Sequence, residues 1–213
     1  MSLVKIAIHS PTGKYLHINE ASNGLSCECT CPKCDDQLEA IQGKVRDQHF
    51  RHSNHENCEG AQETALHKLA KQILAESSVV SIPKIGEISY SESVVEHPIG
   101  DFVADVGAKH NGDMIFFEVV VTNPMKINKK QFYTDNNYKC LEINLQGLNL
   151  NSYEEIKKTV LEDLGNKKVI FWEKKSNPFN PWPYILGIGA LITFLYLFFS
   201  GKSSKQKVRS RQI

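Results

Sequence analysis

The sequence has almost no net charge and no internal repeat. Its 25 lysines and arginines nearly balance its 24 aspartates and glutamates, which leaves +1 at pH 7 with histidine neutral. This balance excludes a protein that binds polyanions through its overall charge alone, although it leaves room for a local basic patch. The length of 213 residues allows one or two compact domains.

An export signal is also missing. The N-terminal residues, MSLVKIAIHSPTG, contain no apolar run long enough for a signal peptide. We therefore expect the protein to stay in a reducing compartment, where disulfides are rare. Clustered cysteines in such a compartment indicate a metal site. Five of the six cysteines lie in the first 60 residues: Cys27, Cys29, Cys31, Cys34 and Cys58.

One segment lacks charge altogether. Residues 182–200, WPYILGIGALITFLYLFFS, are 19 consecutive residues without a charged side chain, which is long enough to cross a bilayer as a helix. A polar linker (173–181) precedes this predicted transmembrane helix, and a basic tail (201–213) follows it. The tail's positive charge favours a cytoplasmic tail, whereas the missing signal peptide and the thiols favour a cytoplasmic N-terminal domain. We expect the second arrangement, a single-pass membrane protein with its N-terminal domain in the cytoplasm.

The soluble part divides into two predicted regions. Residues 1–60 are predicted to form a small zinc-binding β module, and residues 61–172 an α/β (α+β) domain with a mixed sheet. In that domain, apolar periodicity and turn signals predict the order αβββαβ. The predicted elements are a helix at 62–76, strands at 86–96, 101–107 and 114–121, a helix at 127–136 and a strand at 140–145.

The β module contains a pattern typical of a zinc site. Cys31-x2-Cys34 is followed after fourteen residues by His49-x2-His52, and two such pairs can form a tetrahedral zinc site. No position is left open, so the site is predicted to be structural. Competing ligands remain: Cys27, Cys29, His55 and Cys58.

Two carboxylates lie inside apolar strands of the α/β domain. Asp105 and Glu118 are separated by twelve residues that fit a hairpin, so adjacent antiparallel strands would bring them close together. Two buried acids need a cation, and Mg²⁺ prefers oxygen ligands. The alternative is that both acids face solvent or pair with lysines.

The preceding predicted helix carries a polar stripe. Glu63, His67 and Lys71 are spaced i, i+4 and i+8, so they line one face of the helix. They form either a ladder of ion pairs on the surface or the remainder of an active site that faces the two carboxylates.

The runs CPKC, GKVRDQHFRH and ETALHKLAKQIL, followed by FVADVGAKHNGDMIFFEVVVT and CLEINL, resemble the competence protein CoiA-like family. The resemblance covers about residues 1–150 by eye. It implies a zinc-finger region joined to a PD-(D/E)XK nuclease fold, the restriction-endonuclease-like fold. By resemblance, Asp105 and Glu118 are the family's metal-binding acids, and Glu63, His67 and Lys71 match its helical E-x3-H-x3-K pattern. The same resemblance implies zinc ligands at Cys31, Cys34, His49 and His52.

The sequence departs from the signature where a lysine is expected, because that position is Val120. Valine cannot stabilise phosphate charge, so Lys71 or Lys129 would have to do so. The resemblance thus implies a hydrolase that cuts DNA with Mg²⁺ at Glu63, Asp105 and Glu118. The alternative is an inactive nuclease-fold module that binds nucleic acid or a protein partner at the membrane.

Overall fold

The computed structural model describes residues 3–54, 58–148 and 151–172. Residues Met1–Glu173 form one compact unit, and the second unit, Lys174–Ile213, lies outside the described residues. No helix in the described part of the chain is long and apolar enough to cross a membrane. The predicted membrane span at 182–200, its linker and its basic tail all fall outside that part.

Five short antiparallel strands form the N-terminal sheet. They are β1 (Ile6–His9), β2 (Lys14–His17), β3 (Gly24–Thr30), β4 (Gln37–Ile41) and β5 (His49–His52), with a short 3-10 helix at Ile18–Glu20. Their order across the sheet is β2-β1-β3-β4-β5. The buried side chains of this region, including Ile18, Leu38 and Phe50, form only a small cluster. A core of this size needs an additional source of stability, such as a bound metal.

The second sheet is larger and mixed. Before it come helix α1 (Ala61–Glu76) and a separate hairpin of β6 (Val79–Ile82) and β7 (Gly86–Ser89). The sheet contains β8 (Ser91–Ile99), β9 (Phe102–His110), β10 (Asp113–Val120), β11 (Lys139–Asn144) and β12 (Lys167–Phe171). Helix α2 (Ile127–Asp135) connects β10 to β11, and helix α3 (Tyr153–Leu161) connects β11 to β12.

The strand order in this sheet is β12-β11-β10-β9-β8. Strands β8, β9 and β10 form an antiparallel meander, and β10 and β11 run parallel. The connection through α2 is therefore a parallel crossover, as the sequence predicts. The tight turn between β9 and β10 is at Asn111 and Gly112, both of which have positive φ, as a two-residue Asn-Gly hairpin requires. The chain is a mixed α+β protein, and the predicted order αβββαβ is present with the β6–β7 hairpin inserted after α1.

The predicted single strand at 86–96 is wrong, because the chain leaves one sheet and enters another at Tyr90. The Tyr90 backbone N–H donates to the Ser78 carbonyl at 2.8 Å, and its hydroxyl donates to the Leu74 carbonyl at 2.8 Å. These two bonds hold the buried tyrosine against the end of α1. The strand-like sequence is continuous through this point, so only the tertiary contacts reveal the break.

The two long faces of the second sheet are covered by different helices. Ile115 and Phe117 of β10 pack in the same cluster as the apolar face of α1. Phe116, which alternates with them, packs in another cluster with Tyr133 of α2. Because successive side chains of a strand point to opposite faces, α1 and α2 lie on opposite faces of the sheet. Ile6 of β1 also belongs to the α1 cluster, so α1 contacts both sheets.

Candidate metal centre and carboxylate site

Three thiols and one imidazole meet beside the N-terminal sheet. The ligand atoms of Cys31, Cys34, His52 and Cys58 all lie within 4.8 Å of one another. The Cys31 and Cys58 sulfur atoms are 3.9 Å apart, and the Cys34 sulfur lies 3.4 Å from Nε2 of His52. Three sulfurs and one imidazole nitrogen are a tetrahedral donor set that suits zinc. The cluster can hold a metal ion such as zinc.

The backbone shapes this site from three directions. Cys31 and Cys34 bracket a tight turn after β3, in which the backbone amides of Lys33 and Cys34 donate to the Cys31 sulfur. His52 lies at the end of β5, and Cys58 lies just before α1. Amide donors to a ligand sulfur stabilise its thiolate form, which is the form that binds metal. Cys31 is buried and Cys34 is exposed, so the cluster is at the edge of the small core.

His49 is not part of the cluster, and its prediction as a ligand is wrong. His49 and His52 are three positions apart along β5, so their side chains point to opposite faces of the strand. Nδ1 of His49 instead lies 2.9 Å from the carbonyl oxygen of Asp47. The fourth ligand position belongs to Cys58, which the sequence names only as a competitor.

The remaining competitors have other surroundings. Cys27 and Cys29 are buried in the sheet core, where the Cys29 thiol donates to the Cys27 carbonyl at 3.0 Å. His55 lies outside the described residues. Within the cluster, burial and the neighbouring thiols raise the pKa of Cys58 to about 12. Metal binding must therefore displace thiol protons, so affinity is expected to increase with pH.

A row of carboxylates crosses the second sheet at one level. Glu96 of β8 and Asp105 of β9 lie between two register pairs of these strands, Val95–Val106 and His97–Ala104. The β9–β10 pairing ends at Val106–Phe117, and Asp105 and Glu118 are the next residues of the two strands. In the parallel pair, Glu118 lies opposite Glu142 of β11. The predicted neighbourhood of Asp105 and Glu118 on adjacent strands is therefore present, and each has a further acid on its other side.

Asp105 is contacted by α1. Its Oδ2 lies 3.1 Å from Nε2 of His67 and accepts the backbone N–H of Val119 at 2.8 Å, and its Oδ1 lies 3.8 Å from Nζ of Lys71. Burial by itself acts to raise the pKa of Asp105, but the bond and charge of His67, the Val119 N–H and the charge of Lys71 lower it overall. The carboxylate is thus held in its ionised form. Lys71 is itself buried and also forms an ion pair with Glu96.

Glu118 is contacted by α2. Nζ of Lys129 lies 2.6 Å from its Oε1, and the Tyr133 hydroxyl donates to the same oxygen. Burial raises the pKa of Glu118, and the charge of Asp105 adds to this increase, while Lys129 and Tyr133 oppose it. The two neighbouring carboxylates are therefore driven in opposite directions, Asp105 towards the charged form and Glu118 towards the neutral form. Paired groups with separated pKa values are typical of acid–base sites.

The three predicted metal-binding acids do not meet around one point. The helices that contact Asp105 and Glu118 lie on opposite faces of the sheet, and the carboxylate oxygens of Glu63, Asp105 and Glu118 form no cluster among the described residues. Among the described residues, the thiol–imidazole cluster is the one group of three or more acidic, cysteine or histidine side chains with ligand atoms this close together. Glu63 lies in the first turn of α1, one turn before His67, and its Oε2 is buried without a hydrogen-bond partner among the described residues.

Sequence reasoning missed two residues of this site. Tyr133 is four residues after Lys129, so the predicted helix at 127–136 already placed both on one face. Glu96 gave no such signal, because its contact with Lys71 depends on how β8 packs beside α1. Val120, at the position of the signature lysine, is buried.

Replacing Tyr133 with phenylalanine tests the Glu118 environment. Losing the hydroxyl donor should raise the pKa of Glu118 further, because the charged carboxylate loses one of its two hydrogen-bonding partners. A carboxyl group whose pKa is raised by folding stabilises the folded state at low pH, and this contribution is lost as the pH rises through that pKa. We therefore expect Tyr133→Phe to lower the free energy of unfolding by about 1–3 kcal/mol at neutral pH, and by less in acid. Urea unfolding at both pH values measures this.

The matched control is Tyr138→Phe. Tyr138 contacts Phe116 in the same aromatic cluster, at 5.5 Å between ring centroids, and its hydroxyl makes no hydrogen bond among the described residues. Its replacement should change stability little and equally at both pH values. Equal losses for the two variants would contradict the charged bond to Glu118.

Comparison of the chain with protein-family models, with curated proteins and with solved structures found no significant match. The assignment of function therefore depends on the chemistry of the two sites.

Proposed function

We propose that the chain is a metal-dependent nuclease that hydrolyses DNA phosphodiesters, with a structural zinc ion in its N-terminal module. The topology supports this proposal, because an antiparallel meander followed by a helical crossover to a parallel strand is the αβββαβ core expected of a restriction-endonuclease-like fold. We propose on the same basis, and on the sequence motifs, that the chain is related to the CoiA-like competence proteins.

The single observation that carries the proposal is the pair Asp105–Glu118 with a lysine beside each acid. Two buried, adjacent carboxylates are costly for stability, and arrangements of this kind concentrate at functional sites. Lys71 contacts Asp105 and Lys129 contacts Glu118. Because the signature position is Val120, Lys129 is the best replacement for the missing lysine.

The residues present also fit a hard cation. The unpartnered Glu63 Oε2 is a buried carboxylate oxygen without a donor, and such an oxygen is expected where a ligand is to be held. Glu63 lies one helical turn from His67, which contacts Asp105. We propose that Asp105, together with Glu63 on the α1 side of the sheet, holds Mg²⁺. When bound, the ion supplies charge stabilisation for the attacking and leaving oxygens.

The other side chains have roles that follow from their contacts. His67 orients Asp105 through the bond to its Oδ2, and Lys71 lies next to the other oxygen. Nζ of Lys129 also donates to the carbonyl of Val103 at 2.8 Å, so its position is fixed by the end of β9 as well as by Glu118. A fixed ammonium group is suited to stabilising the charge that develops on phosphate oxygens.

Replacing Asp105 with asparagine tests the proposed activity. The full-length protein is expected to cut DNA with Mg²⁺ or Mn²⁺ and to stop when EDTA is added. Asp105→Asn should lower the cleavage rate by about 10²–10³-fold, because the variant lacks the carboxylate that the surrounding groups keep ionised. Cleavage of a fluorescent single-stranded or duplex oligonucleotide measures both results.

Asp101→Asn is the control for this variant. Asp101 is exposed in the turn between β8 and β9 and carries the same charge, so its replacement should leave the rate within a factor of about two. A wild-type protein that binds DNA but does not cut it with any divalent metal would overturn the nuclease proposal.

That outcome would favour a second function, an inactive nuclease-fold module that binds nucleic acid or a protein partner. Two observations support it: valine occupies the position of the signature lysine, and both central acids already form ion pairs with lysines. In that case, the acids would be structural. Asp105→Asn would then change stability without a specific effect on DNA affinity.

We also propose that the protein works at the cytoplasmic face of a membrane. The support is the sequence of residues 182–200 and the reducing compartment that a thiol-based metal site requires. DNA taken up through or arriving at a membrane would be the natural substrate of a tethered nuclease.

A further inference from the structure

A cleft of about 580 Å³ opens beside the carboxylate site, between the turn of the β1–β2 hairpin, α1 and β8. Its volume is within the range of pockets that bind small ligands, roughly 300–1,000 Å³. Three lysines line it, together with hydroxyl, amide and apolar groups. The residues that matter for its chemistry are Lys14, Tyr15, Lys68, Lys71, Val95 and Glu96.

The cleft leads to the same lysine that contacts Asp105. The Lys71 side chain is 7% exposed, and its Nζ lies between the carboxylates of Asp105 and Glu96. Asp105 is largely buried, whereas the Glu96 side chain is 60% exposed and lies at the cleft. The ammonium group thus has one buried anionic partner and one that solvent or a ligand can replace.

Glu96 occupies an unusual backbone conformation. Its φ is +54°, in the left-handed region that residues other than glycine, asparagine and aspartate rarely adopt. Strained residues of this kind concentrate at binding and catalytic sites. The conformation occurs within β8, opposite Asp105 in the register of the two strands.

We infer that this cleft binds a short single-stranded segment of nucleic acid, and that a backbone phosphate takes the place of the Glu96 carboxylate on Lys71. The inference deepens the proposed function, since it names the position of the substrate strand at the same site. Glu96 is then an internal competitor that occupies the phosphate position in the free protein. A phosphate is a strong acceptor for a buried ammonium group and suits it at least as well as a carboxylate.

The rest of the cleft suits a single strand. The side chains of Tyr15 and Val95 provide apolar surface, and aromatic rings are platforms on which bases stack. Lys14 is 67% exposed and pairs with Glu76 at 3.7 Å, a weak exposed contact that a phosphate can replace. A volume of this size holds one or two nucleotides and is too small for a double helix.

Replacing Glu96 with glutamine tests the inference. Glutamine keeps the size and the backbone preference of the residue but removes the competing charge. We expect E96Q to bind a short fluorescent oligothymidylate about tenfold more tightly than the wild type. The phosphate then no longer has to displace a charged carboxylate from Lys71, and hydrogen bonds between charged groups are stronger than those to a neutral amide. Fluorescence anisotropy without added Mg²⁺ or Mn²⁺, with the full-length chain in a mild non-ionic detergent, measures binding without cleavage and leaves the thiol–imidazole cluster intact.

The matched control is E92Q. Glu92 lies in the same strand, also has a positive φ (+51°), and also forms an ion pair, at 2.6 Å with Lys109. Its side chain is 64% exposed, but it does not line the cleft. E92Q makes the same change in net charge and should leave the affinity within about twofold of the wild type.

Two further measurements complete the test. Adding Lys71→Met to E96Q should remove the gain, with circular dichroism confirming that the double variant is folded. An equal gain for E96Q and E92Q, or no gain for E96Q, would overturn the inference. An equal gain with a duplex of the same sequence would overturn its single-stranded part. Because all binding is measured without added Mg²⁺ or Mn²⁺, these results are independent of whether the protein cleaves DNA.

Discussion

Replacing Cys58 with serine is expected to remove the metal from the N-terminal module, whereas replacing His49 with alanine is expected to leave it in place. Structural zinc contributes about 10–16 kcal/mol of apparent binding free energy in small zinc domains. The core of this module is small, so most of its stability should depend on that energy. The measurement is the zinc content of the purified full-length protein by elemental analysis, together with its thermal unfolding.

Cys27→Ser is the cysteine control for this experiment. Cys27 is buried in the same sheet, and its thiol donates to the Leu38 carbonyl at 3.5 Å, but it is outside the cluster. It should retain about one zinc ion per chain and lose only the stability expected of a buried substitution. Loss of zinc in His49→Ala with retention in Cys58→Ser would show that the ligand set is the one read from the sequence and not the one in the structure.

Loss of the metal should also disturb the carboxylate site, because α1 connects the thiol–imidazole cluster to that site. Cys58 lies three residues before the first residue of the helix, and α1 carries Glu63, His67 and Lys71. A metal bound at the cluster would therefore hold the start of the helix that positions the Asp105 contacts. Cys58→Ser is therefore expected to lower DNA cleavage through its effect on α1.

Replacing Lys129 with methionine is expected to lower DNA cleavage by about 10²–10³-fold, the effect of removing one charge-stabilising group from an active site. Lys129 is the cation closest to Glu118, and its side chain is only 17% exposed. Methionine keeps most of the apolar stem while removing the charge. The measurement is the single-turnover cleavage rate at saturating protein, which separates the chemical step from binding.

Lys130→Met provides the comparison. Lys130 is the next residue of α2 and pairs with Glu142 at 2.8 Å, so the change in charge is the same and the position is one residue away. Its effect on the rate should be within a factor of about three, because its ion pair is with Glu142 and not with Asp105 or Glu118. Equal losses for both variants would indicate a general loss of DNA affinity, and unchanged cleavage in Lys129→Met would remove this lysine from the proposed mechanism.

Local sequence patterns predicted much of the framework. The apolar spacing of Leu66, Leu69 and Ile73 placed α1, and Asn111–Gly112 placed the β9–β10 turn. The twelve-residue separation of Asp105 and Glu118 then predicted that they would be neighbours, as they are. These predictions succeeded because each depends on a short segment whose periodicity or turn chemistry acts locally.

The errors arose where a local pattern allowed more than one outcome. The spacing His49-x2-His52 looked like a ligand pair, yet two side chains three residues apart on a strand cannot face the same metal. The spacing became decisive only once the structure showed this segment to be strand β5. The break at Tyr90 was not predictable in the same way, since it depends on the contact of that residue with the end of α1.

The sequence by itself determined the αβββαβ order of the core, the pairing of Cys31 with Cys34 and the placement of Asp105 and Glu118 on adjacent strands. Only the tertiary structure decided that Cys58 completes the cluster and that α1 and α2 contact the two acids from opposite faces. It also decided that Glu96 shares Lys71 with Asp105. The physical reason is that the first group depends on backbone preferences over a few residues, whereas the second depends on which distant segments pack together.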